Sequence, residues 1–263
     1  MVKSFKALCL MASVALGFSA RAAQAQEWTR QSFLLPKGGF ELTGEPARPE
    51  FMRANLSQNS AFKPIEFPIE LFWGVSDDVM IGITHVTGPR FNTGVPHSKL
   101  RDNYNDVGFG SVIWLAGGRN YEVDLHAGIP FHSLDPLFIG AQIGVLGRAN
   151  IAEKVAFVYD PALYFAANHR DDGNGDYFTA PVWFYFQVTP SVAPFVGTGV
   201  SGPLNHFSDY FAIPIEGGVL FGVTRDVYLG FDLAFDNALG RHAAFGRDHF
   251  DLRHIGFLAQ FRF

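Results

Sequence analysis

A closed antiparallel β-barrel that crosses a membrane is the fold class that this 263-residue sequence predicts, on three observations. Apolar residues alternate with polar residues or glycine across residues 121–129 and 227–236, and a period of two is typical of strands. Charged residues make up 17% of the chain, against roughly 25% in soluble domains, so part of the exterior faces something other than water. The connections between the alternating segments are short and long in turn.

The first 25 residues have the composition of an export signal. Two lysines precede an apolar run at residues 7–20, and Ala23-Gln24-Ala25 fits a signal-peptidase site. The run is shorter than the roughly 20 residues of a membrane-spanning helix, which disfavours an uncleaved anchor. Cleavage would remove Cys9, the single cysteine, and would leave 17 basic and 25 acidic residues, a net charge of −8. Nucleic-acid binding is disfavoured by this charge.

The alternation predicts twelve strands, of about 10 to 13 residues where it is clearest, which suits a tilted bilayer crossing better than a soluble β-sandwich. Ten strands is the rival count, because the first strand is weakly patterned and Pro194 weakens the ninth. Residues 26–37 are predicted as a periplasmic lead-in, followed by one barrel domain at 38–263. The predicted strands lie near 38–44, 63–75, 79–88, 106–116, 121–131, 137–147, 154–166, 177–188, 192–202, 210–222, 227–236 and 251–263.

Short polar turns are predicted at 76–78, 117–120, 150–153, 189–191 and 224–226, and longer connections at 45–62, 89–104, 132–136, 168–176, 203–209 and 237–249. Barrels of this class place their short turns in the periplasm, so both chain ends are expected on that side. Six prolines fall inside predicted strands, where a missing N–H predicts a bulge or a local opening of the wall. They are Pro64, Pro68, Pro161, Pro181, Pro194 and Pro214.

The end of the chain carries the most specific signal. Ile255, Phe257, Ala259, Phe261 and Phe263 alternate with polar or small residues up to a terminal phenylalanine. This segment resembles the C-terminal strand of Gram-negative outer-membrane β-barrel proteins, although Phe261 stands where that strand often has tyrosine. The resemblance implies an outer-membrane location and recognition of Phe257, Phe261 and Phe263 by the barrel-assembly machinery. It implies no subfamily and no catalytic residue.

The predicted inward face carries many more carboxylates than cations. Rings of carboxylates select cations in pores, whereas carboxylates in a narrow barrel also pair with neighbouring side chains and stabilise the wall. Both interpretations stay open for each residue. The residues predicted to line the lumen are Glu66, Glu70, Glu122, Asp124, His126, Asp160, Glu216, Asp232, Asp236, His254 and Arg262.

Aromatic side chains are predicted to form a girdle at the membrane interfaces, where amphipathic rings are favoured. Phe131, Phe165, Phe178, Phe211 and Phe235 fall outward near the long-connection ends of their strands, and Trp73 falls beside a short turn. Several arginines and lysines in or near the long connections could bind lipopolysaccharide phosphates, which guanidinium groups recognise in forked geometry. They are Arg90, Lys99, Arg101, Arg170, Arg241, Arg247 and Arg253.

Catalytic and metal sites are only weakly indicated. Asp124 and His126 share a strand face, and an acid beside a histidine is part of a hydrolytic triad, but no motif supplies the serine. Residues 171–176 resemble a calcium loop at three positions, yet Tyr177 stands where a glycine should follow. No spacing typical of a zinc site, a P-loop or a dinucleotide fold is found.

The sequence therefore predicts an outer-membrane barrel that is a narrow pore or passive transporter for small cationic or neutral solutes. A lipid hydrolase and a non-conducting structural or adhesive barrel remain as alternatives, and an enzyme is the less favoured class. The expected partners are outer-membrane lipid, lipopolysaccharide and the barrel-assembly machinery. No cofactor and no metal is expected.

Overall fold

The structure is a computed structural model that describes residues 27–56, 64–91, 104–241 and 253–263. The predicted export signal at 1–25 and the predicted loop residues Lys99, Arg101 and Arg247 lie outside the described residues. Within them, no helix has the length and hydropathy needed to cross a membrane. The helical elements are 3₁₀ turns at Trp28–Arg30, Arg170–Asp172 and Leu204–His206, and an α-helix at Phe207–Tyr210.

The described strands join into one antiparallel sheet. They are β1 (Phe40–Thr43), β2 (Glu50–Asn55), β3 (Ile65–Glu66), β4 (Glu70–Ser76), β5 (Val79–Thr84), β6 (Arg90–Phe91), β7 (Val107–Gly118), β8 (Tyr121–Leu134), β9 (Leu137–Ala152), β10 (Val155–Tyr159), β11 (Ala162–Ala166), β12 (Tyr177–Phe186), β13 (Val192–Pro203), β14 (Ile215–Gly222), β15 (Val227–Phe235) and β16 (Arg253–Arg262).

The sheet closes on itself as a barrel of twelve strands. β1 pairs with β4 on one side and with β16 on the other, where Leu42 lies opposite Phe261. β10 and β11 both pair with β9 and β12, and are therefore two halves of one strand that is interrupted at Asp160 and Pro161. The predicted closed barrel and its count of twelve are confirmed, and the rival count of ten is wrong.

The seam of the barrel depends on the last residue of the chain. The backbone N–H of Phe40 donates to the carbonyl of Phe263 at 3.1 Å, and the N–H of Phe263 donates back at 2.9 Å. Farther along β16, β2 takes the place of β1, with Asn55 opposite His254. The first strand of the barrel thus consists of β1 and β2, separated by residues 44–49.

The outward face is apolar along the strands. Phe109, Phe231 and Ile129 are 59%, 56% and 53% exposed. Phe257 is 39% exposed and lies opposite Phe231, whereas Asp124 and Asp232 on the other face are fully or almost fully buried. The inside-outside alternation of the strands follows the predicted register, and an apolar exterior of this kind suits lipid rather than water.

The interior is packed with side chains rather than empty. Residues 27–37, here called the N-terminal segment, include Trp28, Phe33 and Leu35, each at most 5% exposed, within a cluster of buried apolar side chains from the inward face. The Trp28 ring lies edge-on to Tyr228, with ring centroids 5.2 Å apart. The predicted periplasmic lead-in is thus placed inside the barrel end where the short turns are, here called the short-turn end.

Two predicted connections differ from the structure. Residues 45–62 are predicted as one long loop, but Glu50–Asn55 form β2 and residues 44–49, here called the inward segment, fold against the inner wall, with Ala47 fully buried. The strand β2 was not predicted because Pro46 and Pro49 precede it, and prolines typically mark loops. Residues 132–136 are also predicted as a longer loop, but β8 runs to Leu134 and β9 starts at Leu137, which leaves a two-residue turn.

Four of the six prolines interrupt the wall as predicted, and the prediction is wrong for the other two, whose strands keep a regular register. Pro64, Pro68, Pro161 and Pro214 lie directly before or between strands, where the wall is interrupted. Pro181 and Pro194 lie inside β12 and β13, paired with Gly199 and Val219. The barrel tolerates them because neighbouring groups still find partners: the N–H of Asp160 donates to the carbonyl of Pro181 at 3.2 Å.

Candidate functional site

The candidate site is the barrel interior, where the structure divides the ionisable side chains into separate groups. Glu70, Glu122, Asp124, Glu216, Asp232 and His254 are buried, His126, Asp160, Glu66 and Arg262 are half-buried, and Asp236 is exposed at the end of β15. Most of these side chains contact partners on other strands. Among the residues that the structure describes, one group of carboxylates faces a cavity whose lining has no lysine or arginine.

The inward segment supplies a cation that sequence analysis missed. Arg48 lies 2.5 Å from Glu50 and 3.7 Å from Asp232, and it also pairs closely with Glu216. Glu216 accepts a further hydrogen bond from the Trp183 indole N–H. These residues form an ion cluster against β14, β15 and β16. The inward position of Arg48 could not be predicted, because this residue lies between two prolines in a segment that is predicted to be a loop.

Two further pairs stabilise the wall. At the seam, Arg262 lies 2.5 Å from the fully buried Glu41, which also accepts a hydrogen bond from Gln260 at 2.9 Å. On the neighbouring strand β2, Arg53 lies 3.1 Å from Glu66. Arg262 and Glu66 are both predicted to line the lumen. In the structure each of them belongs to a separate ion pair between two strands, Arg262 with Glu41 and Glu66 with Arg53.

The N-terminal segment is held by a second buried pair. Arg148 lies 2.8 Å from Glu122 and donates to the backbone carbonyl of Gln31. The other oxygen of Glu122 accepts hydrogen bonds from the Ser32 hydroxyl at 2.5 Å and from the Phe33 N–H at 3.1 Å. Because each oxygen of this carboxylate has a partner, Glu122 anchors the segment to β8 and β9.

A cavity of about 120 Å³ lies in the half of the barrel that the N-terminal segment does not fill. It is near β5, β7 and β8, toward the barrel end opposite the short turns, here called the long-loop end. Among its lining residues are Glu45, Glu70 and Asp160, and no lysine or arginine belongs to the described lining. Glu70 is 7% exposed. No cation lies within ion-pair distance of Glu70 in the described part of the chain. The described lining therefore brings three acidic side chains together without a lysine or an arginine.

The fourth acidic residue of the lining is Asp106, and it binds the backbone of the loop at residues 86–88. Its two oxygens accept hydrogen bonds from the backbone N–H groups of Val86, Thr87 and Gly88, at 2.5 to 3.0 Å, and from the Thr87 hydroxyl. His85 contacts the hydroxyl of Tyr104 at 2.9 Å. These contacts order the turn at the cavity mouth and engage both oxygens of Asp106. The acids that remain to face the cavity are Glu45, Glu70 and Asp160, of which Asp160 lies beside His126.

The weakly indicated catalytic pair does not form. His126 Nε2 lies 3.2 Å from Asp160 Oδ1, so its acidic neighbour is Asp160 and not Asp124. Neither oxygen of Asp124 has a hydrogen-bond partner in the described structure, and the residue is fully buried. The Ser111 hydroxyl donates to the carbonyl of Ala127 at 3.3 Å. Asp124 and His126 lie on the same face of β8 but do not touch, because the His126 ring extends over Gly144 of β9 toward Asp160.

The loop at residues 171–176, which partly resembles a calcium loop, is closed by its own hydrogen bonds. The Asn174 amide donates to the carbonyls of Asn168 and Ile139, and Arg170 holds Asp176 at 2.7 Å. The hydrogen bonds from Arg170 keep the pKa of the Asp176 carboxyl below its ordinary range. Asn174 Oδ1 accepts a hydrogen bond from the Tyr164 hydroxyl at 2.6 Å, so the side-chain oxygens of Asn174 and Asp176 both have partners within the protein.

Aromatic rings gather on the outer face at both barrel ends. Phe40 and Trp73 stack at 6.2 Å near the short-turn end and are 46% and 43% exposed. Near the other end, Phe165 is 42% exposed and Phe178 contacts Phe207 at 6.1 Å. This distribution is what a pair of interfacial belts requires.

Comparison with known proteins identifies the architecture alone. No family model matches the sequence, and no curated protein matches it. The fold is similar to that of a NanC porin, with a TM-score of 0.55 and 10% identity over 80% of this chain and 97% of the porin. It is also similar to a KdgM porin solved with disordered oligogalacturonate, with a TM-score of 0.52 and 6% identity over 86% of this chain and 98% of that one. The chain thus has the fold of the outer-membrane β-barrel proteins, as its terminal strand predicts.

Proposed function

We propose that this chain is an outer-membrane channel that passes small cationic or neutral solutes along a narrow path. Closure, the apolar outer face and the aromatic belts support a place in the membrane, with lipid and lipopolysaccharide as neighbours. The similarity to two porin structures supports a pore, and fold alone does not fix function. The short-turn end would face the periplasm, as in other barrels with this alternation of loops.

The observation that carries the proposal is the cavity with Glu45, Glu70 and Asp160 and no described lysine or arginine in its lining. A cleft of one charge sign between low-dielectric walls concentrates counter-ions. Cations arriving from the long-loop end would therefore be enriched there, and more so at low salt. Glu216 and Asp232, by contrast, share Arg48 and contribute a smaller field.

The test is a reversal potential across a salt gradient in a planar bilayer. Wild-type protein should prefer cations, and the double variant Glu70→Gln, Asp160→Asn should move the reversal potential toward zero. Glu216→Gln with Asp232→Asn is the matched control and should have the smaller effect. A preference for anions in the wild type would contradict the acidic-path proposal.

A non-conducting structural or adhesive barrel is the second candidate, and one observation favours it: the N-terminal segment fills the short-turn half of the lumen. Protein that is folded, as judged by heat-modifiable mobility, but shows no conductance at any voltage would support this candidate. A lipid hydrolase has no such support, because His126 and Asp124 are not paired.

A further inference from the structure

A different group of side chains converges where β2, β15 and β16 meet. Glu50, Asp232 and His254 each offer one donor atom, and the three atoms lie within 4.8 Å of one another. The residues are 4%, 2% and 3% exposed. The sequence does not reveal this group of three donors, because one of them is residue 50 and the other two lie beyond residue 230.

These donor atoms lack the hydrogen bonds that buried polar groups normally have. Glu50 Oε1, both oxygens of Asp232 and both ring nitrogens of His254 are buried without a hydrogen-bond partner in the described structure. Glu50 Oε1 and His254 Nε2 are 3.1 Å apart. They approach each other without the geometry of a hydrogen bond, as two ligands of a common third atom do. Ligands bound at about 2.1 Å to a tetrahedral ion lie about 3.4 Å apart, close to this distance.

The charges around the three donors also leave room for a cation. Arg48 is shared by Glu50, Glu216 and Asp232, and Arg53 lies 3.8 Å from Glu50 and 3.1 Å from Glu66. In these pairs, two positive charges face four negative ones when His254 is neutral. The contact of Arg48 is with Glu50 Oε2, which leaves Oε1 directed at His254. A bound divalent ion would balance the two remaining negative charges.

We propose that Glu50, Asp232 and His254 bind a divalent transition-metal ion of the zinc type. An imidazole nitrogen with two carboxylate oxygens suits such an ion, whereas Mg²⁺ and Ca²⁺ prefer oxygen ligands alone. Asp236 Oδ1 lies 3.0 Å from His254 Nδ1, and the negative charge of this carboxylate favours the tautomer with the proton on Nδ1 and the lone pair on Nε2. The ion would fasten β2, and with it the inward segment, to the wall. This proposal is independent of whether the barrel conducts.

The experiment uses the full mature protein in detergent, freed of metal with EDTA and titrated with Zn²⁺ by calorimetry. Wild type should bind one Zn²⁺, and Co²⁺ in its place should give the visible absorption of a low-symmetry site. Replacing a residue that contacts a metal ligand, without binding the metal itself, typically lowers metal affinity by about 10- to 100-fold. Asp236→Asn should lower Zn²⁺ affinity by about that factor. Asp232→Asn and His254→Gln, which remove proposed ligands, should each lower it by more.

The matched control is His126→Gln, which removes a half-buried histidine that also lies beside a carboxylate, at 3.2 Å from Asp160. It should leave Zn²⁺ binding unchanged. Heat-modifiable mobility confirms that each variant is folded, and Asp232→Asn serves if His254→Gln does not fold. Absence of Zn²⁺ binding in the wild type would overturn the proposal in favour of a protonated His254 between Glu50 and Asp236. Equal loss in His126→Gln would overturn it as well, since the metal would then bind elsewhere.

Discussion

Replacing Glu122 with glutamine should loosen the N-terminal segment from the barrel interior. One oxygen of Glu122 accepts bonds from the Ser32 hydroxyl and the Phe33 N–H. A hydrogen bond to a charged group contributes about 1.5–3 kcal/mol and a neutral one about 0.5–1.5 kcal/mol, so each bond loses roughly 1–1.5 kcal/mol. Two bonds give about 2–3 kcal/mol, which corresponds to a roughly 30- to 150-fold increase in local opening.

Hydrogen exchange followed by mass spectrometry measures this opening directly. Exchange should accelerate by that factor in residues 28–35 and remain unchanged in the strands of the opposite wall, because only the anchor is weakened. Glu70→Gln is the control, since it neutralises a buried carboxylate that faces the cavity and does not hold the segment. Unchanged protection of the segment in folded Glu122→Gln protein would refute the assigned role of this anchor.

Three further predictions concern assembly, the lipid face and pH. Deleting Phe263 should sharply reduce heat-modifiable protein in the outer membrane, because its backbone bonds close the seam, and a wild-type yield would contradict this. Leu125→Arg should cost about 2–4 kcal/mol of unfolding free energy in lipid, whereas Gln142→Arg on the cavity side should cost far less, as a denaturant titration can measure. The Asp176 carboxylate has a lowered pKa in the folded state, so its stabilisation is present above its ordinary pKa and is lost as pH falls through the folded value. Exchange of the loop amides should therefore accelerate in acid, and Asp176→Asn should remove that dependence.

The wall of the barrel could be predicted from the sequence, because each strand carries its own alternation and neighbouring strands need only match it. Residues 121–129 lie within β8, and residues 227–236 form β15 except for the last one. Both alternate without interruption and have the expected face inward. The filling of the interior could not be predicted. Arg48 and Trp28 reach partners more than 150 residues away along the chain, and no local pattern encodes such contacts. The pairing of His126 with Asp160 was missed for the same reason.

If the chain is the proposed channel, the two halves of its interior would set opening and selectivity through different residues. The N-terminal segment is anchored at Glu122 and Arg148, beside the short turns, and the cavity with Glu70 and Asp160 lies toward the other end. A cation that enters from the long-loop end would meet the cavity carboxylates before it reaches the segment. If the proposed channel conducts, Glu122→Gln should therefore raise the conductance and leave ion preference unchanged. Glu70→Gln should lower cation preference without raising the conductance. Parallel changes of both properties in either variant would mean that one element sets both opening and selectivity, and that the interior acts as a single unit.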